Sequence, residues 1–193
     1  MKKSLNFWFA FAFVLLLTGC GGKFEPTEST VFITSKGIVK SAVIESFDQP
    51  YYDFDELYKD VEKTVKTYCL DKNEELVTMQ SLTEANHEVS LLMEYQSVED
   101  YAAFNDVLLF SGTFAEAVDA GYMPESLCDA EGVYVEIDLE KYGKLQTIVT
   151  EESISFQTNG KIQYTSDNVT VLDKKLAKAM EAGKNYPAFI LYK

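Results

Sequence analysis

Paired strand-like runs, each followed by a capped helix, most constrain the fold of this 193-residue chain. In residues 30–47, β-branched residues flank a turn at Ser35-Lys36-Gly37, a pattern that predicts a β-hairpin. Asp53 then offers an N-cap with Glu56 three residues later, and apolar residues recur at helical spacing as far as Cys69. The pattern therefore predicts a helix over about residues 53–69 that lays an apolar stripe on a core.

The same order recurs farther along the chain. Residues 76–82 and 89–95 are strand-like runs about a turn near Ala85-Asn86, and Ser97 opens a second helix as its N-cap. Thr113 and Glu116 then form a capping box for a brief helix that Gly121 ends. Both helices are predicted from capping chemistry as well as from composition.

The last third is rich in short strand-like runs, at 133–139, 145–150, 154–157, 162–164, 169–172 and 188–192. Asn159-Gly160 predicts a type I′ hairpin turn between two of them. Asp173 is a candidate N-cap for a lysine-rich helix that ends at Ala182. Together the patterns predict one α+β domain over residues 30–193, a mostly antiparallel sheet built from hairpins with two or three helices packed on one face.

The N-terminal residues have the layout of an export signal. Two lysines precede an apolar stretch over residues 5–17, which at 13 residues is short for a span that needs about 20. The run Leu17-Thr18-Gly19-Cys20 resembles the bacterial lipobox. The resemblance implies a signal peptide at 1–19, a diacylglyceryl group on Cys20 and anchoring to the outer face of the plasma membrane. Residues 20–29, with two glycines and a proline, are then predicted to be a tether.

A second resemblance concerns three segments of the domain. Residues 99–105, 109–113 and 116–122 are similar to segments of uncharacterised cell-surface lipoproteins of Gram-positive bacteria. This resemblance implies an extracytoplasmic location and brings no activity with it.

The charge of the chain limits the classes of partner that it can bind. The formal net charge is −14, and the basic residues are all lysines. Because arginine normally supplies the bidentate grip on phosphate, its absence argues against nucleic-acid binding. Residues 73–140 hold 16 acids and no lysine. This block is either a surface that collects cations or a basic partner, or a solvated surface that aids solubility.

Two cysteines other than Cys20 lie within the domain. Cys69 and Cys128 form an even pair in an exported chain, so a disulfide is a candidate, and it would stabilise the fold by roughly 4 kcal/mol on the chain-entropy model. The alternative is two buried thiols, since Cys69 also fits the apolar stripe of its helix. A metal site is not expected, because His87 is the one histidine and the two cysteines are far apart in sequence.

Sequence motifs for catalysis are missing. The chain has no nucleophile elbow, phosphate-binding loop, dinucleotide fingerprint or calcium loop, so we predict no catalytic residue and no cofactor. Three hypotheses stay open. The domain is a binding or interaction module for an envelope protein or small ligand, a carboxylate-dependent cell-wall glycan hydrolase, or a structural envelope component.

Overall fold

A computed structural model describes residues 24–193, and the predicted signal peptide and the predicted lipidation site Cys20 lie outside the described residues. The strands are, in chain order, β1 (Thr30–Ile33), β2 (Val39–Ser46), β3 (Val77–Ala85), β4 (Glu88–Tyr95), β5 (Leu109–Thr113), β6 (Leu127–Asp129), β7 (Tyr134–Val135), β8 (Gln146–Thr150), β9 (Ser155–Gln157), β10 (Ile162–Thr165), β11 (Val169–Asp173), β12 (Leu176–Ala179) and β13 (Ala188–Tyr192). The helices are α1 (Phe54–Lys72), α2 (Val98–Asn105), α3 (Phe114–Asp119) and α4 (Leu139–Tyr142).

The strands form two sheets. The seven-stranded sheet has the order β11-β12-β9-β1-β2-β4-β3, and the six-stranded sheet has the order β5-β8-β13-β10-β6-β7. Neighbouring strands run antiparallel except β1 and β9, which are parallel. The predicted class, α+β with mostly antiparallel strands, is confirmed. The strands divide between two sheets, however, and the helices divide with them.

The larger core lies between the sheets. One face of the seven-stranded sheet, called here the inner face, packs on one face of the six-stranded sheet, and α1 and α2 close the same core. Its buried side chains are Val31, Ile33, Val39, Val77, Met93, Tyr95, Tyr101, Leu109, Ile148, Phe156, Ile162, Ala177, Ile190 and Tyr192.

The smaller core lies on the opposite face of the six-stranded sheet, where Phe114 and Ala117 of α3 and Tyr142 of α4 cover it. Strand β13 contributes to both cores. Ile190 and Tyr192 face the larger core, while Phe189 and Leu191 face the smaller one. Because successive side chains of a strand point to opposite faces, a wholly apolar strand such as β13 fits only between two covering layers.

The predicted local signals are confirmed in the first half of the chain. Asp53 Oδ1 accepts from the N–H of Glu56 at 3.0 Å, and α1 runs three residues beyond the predicted end, to Lys72. Asn73 then caps it in the left-handed region, with φ 56°. The capping box of Thr113 and Glu116 opens α3. The hairpins β1–β2 and β3–β4 also form as predicted.

The hairpin predicted at Asn159-Gly160 is wrong. Strands β9 and β10, which flank it, belong to different sheets, and neither residue has positive φ. Gly160 is there for a different reason: a Cβ at this position would collide with the backbone of Lys193. The two-residue turn with positive φ lies between β3 and β4 instead, at Asn86 and His87.

The helix predicted from Asp173 to Ala182 is also wrong. Asp173 ends β11, and the chain turns back as β12, which pairs with both β11 and β9. Ala177 and Ala179 are fully buried, and Lys178 between them points to the other face. Tertiary pairing thus overrides the helix propensity of alanine and lysine. In the predicted strand 133–139, only Tyr134–Val135 is extended, as β7, and it pairs with β6 just before it.

The described part of the predicted tether, residues 24–29, is packed on the domain. The Phe24 ring stacks on Phe32 with centroids 6.0 Å apart. Lys178 Nζ lies 2.7 Å from Glu28 Oε2, and Ser29 Oγ accepts from the N–H of Ile44 at 2.9 Å. These contacts pin residues 24–29 across the outer face of the seven-stranded sheet, so this part of the predicted tether belongs to the packed domain.

Candidate binding pocket

A pocket of about 370 Å³ opens where the chain passes between the two sheets. We call it the acidic pocket. Its walls are the β6–β7 hairpin and the link from β10 to β11, which joins the six-stranded sheet to the seven-stranded one. The lining residues are Cys128, Asp129, Ala130, Glu131, Gly132, Tyr134, Thr165, Ser166, Asp167, Val169, Thr170 and Val171.

The wall formed by the link from β10 to β11 is held rigid by the buried polar side chains of Ser166 and Asn168. Ser166 Oγ accepts from the N–H of Phe189 at 2.8 Å and donates to Asn168 Oδ1 at 2.6 Å. Asn168 Nδ2 donates in turn to the carbonyl of Tyr186 at 3.1 Å. Since buried polar groups need partners, this network fixes the link to β13 and positions the residue between them, Asp167.

The other wall, the β6–β7 hairpin, contains a turn organised by Asp129. Its Oδ1 accepts from the N–H groups of Glu131 at 3.0 Å and Val133 at 2.9 Å, and Gly132 takes a φ of 83° that favours glycine. Tyr134, which follows, is 68% exposed. An exposed aromatic ring beside carboxylates is an arrangement that suits a cation, through the ring face and the charge together.

Asp167 is the best-defined charge in the pocket. Tyr186 Oη donates to Asp167 Oδ1 at 2.6 Å, and this hydrogen bond is the main cause that lowers the pKa of Asp167. The same bond raises the pKa of Tyr186 to about 12. The carboxylate therefore stays ionised and the phenol stays protonated at neutral pH, so Asp167 can attract a cation but is poorly suited to donate a proton.

Cys128 is one of the residues that line the pocket, and it is almost fully buried. Burial raises the pKa of its thiol, and the charges of Asp167 and Asp129 add to the effect. Because the thiolate is the nucleophilic form, this thiol is a weak nucleophile at neutral pH. The pocket consequently has binding groups without an activated nucleophile.

The candidate disulfide between Cys69 and Cys128 is not formed in the structure, where both cysteines are free. Cys69 packs with α1 against the larger core, and its Sγ donates to the carbonyl of Val77 at 3.4 Å. Cys128 lies in β6 of the other sheet. The two residues belong to different layers, so the alternative of two thiols describes the structure.

The histidine and the acidic block considered in the sequence analysis do not come together in one site. His87 lies in the turn at the tip of the β3–β4 hairpin, with φ 62°. Of the acids in residues 73–140, Asp129 and Glu131 line the pocket. Sequence patterns did not single out Tyr134, Asp167 or Tyr186, because the pocket joins segments that are distant along the chain.

A glycan hydrolase would need one carboxyl kept protonated near a second that is ionised. Burial raises the pKa of Glu152, which accepts from Tyr101 Oη at 2.9 Å. Glu152 follows β8 and is not among the residues that line the acidic pocket. The carboxyl suited to donate a proton and the carboxylate Asp167 are therefore not paired in this cleft.

Residues 24–193 can also be assessed for metal ligands and for helices that could span a membrane. Histidine, cysteine and acidic side chains do not come together in a group of three or more that would hold a metal ion. Within the same residues, every helix is too short or too polar to cross a membrane. Comparison of the chain with protein-family models, curated proteins and solved structures finds no match to any of the three.

Proposed function

We propose that this chain is a lipoprotein anchored through Cys20 to the outer face of a bacterial plasma membrane, whose domain binds a ligand that carries an organic cation. The observation that carries the binding role is the acidic pocket, in which Asp167 stays ionised beside the exposed ring of Tyr134. None of the residues that line this pocket is a lysine. An ammonium or guanidinium group would gain both charge and ring-face contacts there.

The packing of residues 24–29 supports a domain that lies close to the membrane. Residues 21–23 are the link between Cys20 and Phe24, which stacks on the seven-stranded sheet. Fully extended, this link spans about 14 Å. A lipid on Cys20 would therefore hold the outer face of that sheet beside the lipid headgroups.

The anchor is tested by expressing the full chain in a bacterial host and fractionating the cells. We expect the protein in the membrane fraction, with mass spectrometry showing a mature N-terminus at Cys20 that carries a diacylglyceryl group. Cys20→Ser should abolish the modification, while the control Cys69→Ser should leave it in place. An unmodified Cys20 in the wild-type chain would refute the anchor.

The pocket is tested by calorimetric titration of the domain with arginine amide and spermidine. We expect Asp167→Asn to weaken binding about tenfold or more, since a hydrogen bond to a charged group contributes about 1.5–3 kcal/mol. Asp119→Asn makes the same charge change on the exposed end of α3 and should have little effect. Binding should also weaken with added salt. Absence of binding to the wild type, or equal effects of the two variants, would refute the role of the pocket.

A further inference from the structure

A second recess lies at the free edge of the seven-stranded sheet, away from the acidic pocket. Strand β3 is the last strand of that sheet and pairs with β4 alone within the described residues. Helix α1 lies against β3, and a groove of about 770 Å³ runs between them. We call it the α1–β3 groove. Its apolar lining includes Tyr58, Val65, Cys69, Leu70, Val77 and Met79.

The helix leaves this groove open. None of the 19 residues of α1 is fully buried, although Val61, Val65, Tyr68 and Cys69 contact the larger core. Leu70, at the rim, is 68% exposed, and Tyr58 is 40% exposed. Large apolar side chains at the edge of an unfilled groove are typical of surfaces that another chain covers.

The register of the hairpin shows which backbone groups of β3 face outward. The N–H of Gln96 donates to the carbonyl of Leu76 at 2.9 Å, so Val77 and Tyr95, one step along, form a non-hydrogen-bonded pair. The N–H and carbonyl of Val77 therefore point away from β4, and so do those of Met79. The thiol of Cys69 donates to the carbonyl of Val77 at 3.4 Å, which confirms that this carbonyl faces α1.

At the start of β3, protection against pairing with another strand is limited to the contact of the Cys69 thiol with the Val77 carbonyl, which leaves that carbonyl a second lone pair for a further donor. Natural edge strands are usually guarded by lysine, proline, a bulge or a covering element. Strand β3 contains neither lysine nor proline, and its bulge comes after Met79. The stretch from Val77 to Met79 is thus a regular edge with outward donors and acceptors beside an apolar groove.

The charges around the groove favour a basic occupant. Glu62, Glu74 and Glu75 line it, against the one lysine of the lining, Lys66. A second copy of this chain, at a net charge of −14, would be repelled. An extended segment that alternates apolar and basic residues would place its apolar side chains in the groove and its charges against the acidic rim.

We propose that the α1–β3 groove binds an extended, lysine- or arginine-bearing segment of a partner protein, which adds to the seven-stranded sheet as a strand beside β3. The backbone of Val77 and Met79 supplies the hydrogen bonds, and the groove supplies the contacts with alternate side chains. This role does not depend on the lipid anchor or on the acidic pocket.

The probe is a synthetic heptapeptide of alternating valine and lysine, titrated into the isotopically labelled domain and followed by NMR. We expect chemical-shift changes along β3 and α1, with slowed hydrogen exchange at the N–H of Val77 and Met79. Two matched peptides complete the set: one with glutamate in place of lysine, and one N-methylated on the residues that would face β3. Both should bind at least tenfold more weakly.

Surface variants distinguish binding in the α1–β3 groove from general attraction of a basic peptide to an acidic protein. The double variant Glu62→Lys and Glu75→Lys reverses two rim charges at exposed positions and should weaken binding about tenfold. The control Glu84→Lys and Glu88→Lys makes the same change at the far end of the hairpin and should change binding less than twofold. Unchanged exchange at Val77 and Met79, equal binding of the N-methylated peptide, or equal effects of the two double variants would overturn the proposal.

Discussion

Two different layers cover the inner face of the seven-stranded sheet. On the side of β11, the six-stranded sheet lies against it, and all five residues of its central strand β13 are buried. On the side of β3, helix α1 is the cover, and none of its residues is fully buried. A sheet cover fills the space between layers with interdigitated side chains, whereas a single helix spans the face and leaves grooves beside it. The stability of this domain should therefore be concentrated under β13, and the free surface for partners beside α1.

Truncation of a core side chain on each cover should give the largest difference. Ile190 of β13 is fully buried in the larger core, and Ile190→Ala should lower the free energy of unfolding by about 2–5 kcal/mol. Val65 of α1 is partly buried against the same core, and Val65→Ala should cost about 1 kcal/mol. Urea denaturation of both variants measures the difference. Equal losses would mean that α1 is packed as firmly as the six-stranded sheet.

The next effect concerns the connection from β9 to β10, which carries the chain from the seven-stranded sheet to the six-stranded one. A Cβ at Gly160 would collide with the backbone of Lys193, so Gly160→Ala should cost about 1–3 kcal/mol through overpacking. Gly183 is the matched control, because a Cβ there has open space and its φ is not positive. Gly183→Ala should be neutral or stabilising by about 0.4–1 kcal/mol. A neutral Gly160→Ala in thermal and urea unfolding would show that the two sheets can separate at this link.

The wrong prediction of a hairpin turn at Asn159-Gly160 illustrates what local sequence can specify. Asn-Gly between two strand-like runs is a strong hairpin signal because a type I′ turn needs positive φ twice. Here Asn159 uses its side chain to donate to the carbonyl of Ile33, and Gly160 makes room for another strand. Both requirements come from segments far away along the chain. Asparagine and glycine are therefore needed at these two positions for contacts with distant segments, and not for a hairpin turn.

Elements fixed by short-range chemistry were predicted well. The caps at Asp53, Ser97 and Thr113 each satisfy a backbone N–H three residues later, so four residues are enough to recognise them. The short helix α4 was missed, although Asp138 caps it in the same way. The parallel pairing of β1 with β9 joins residues more than a hundred positions apart and has no local signal. The acidic pocket depends on such pairings, which is why it was not predicted.

Removal of the α1 cap should have a smaller effect that is confined to the helical cover. Asp53→Ala removes the acceptor for the N–H of Glu56 and should cost about 1 kcal/mol. Hydrogen exchange should become faster in the first turns of α1 and stay unchanged in β13, since weakly covered elements open separately from the core. The control Asp55→Ala lies in the same turn but makes no cap. Faster exchange in β13 as well would mean that the two covers unfold as one unit.

The smallest expected effect concerns the seam between the two covers, by which we mean the place where α2 packs on both β4 and β5. There Tyr101 of α2 donates to Glu152, which follows β8. Burial raises the pKa of Glu152 in the folded state above its ordinary value of about 4.3. The fold therefore resists ionisation of this carboxyl. Its contribution to stability is complete below the ordinary pKa and is lost as the pH rises through the folded-state pKa. Glutamine does not titrate, so Glu152→Gln should gain stability relative to the wild type as the pH is raised from 4 to 8.

A second variant fixes the sign of that effect. The hydrogen bond from Tyr101 lowers the pKa of Glu152 and so partly offsets its burial. Tyr101→Phe removes the bond, and the loss of stability with rising pH should become steeper than in the wild type. Groups such as Asp167 and Glu28, whose pKa values are lowered, favour stability at higher pH, but they are common to all three proteins and cancel in the differences. Urea denaturation across the pH range measures these slopes. A constant difference between Glu152→Gln and the wild type would mean that water reaches the seam and that the two covers meet less tightly than the buried tyrosines indicate.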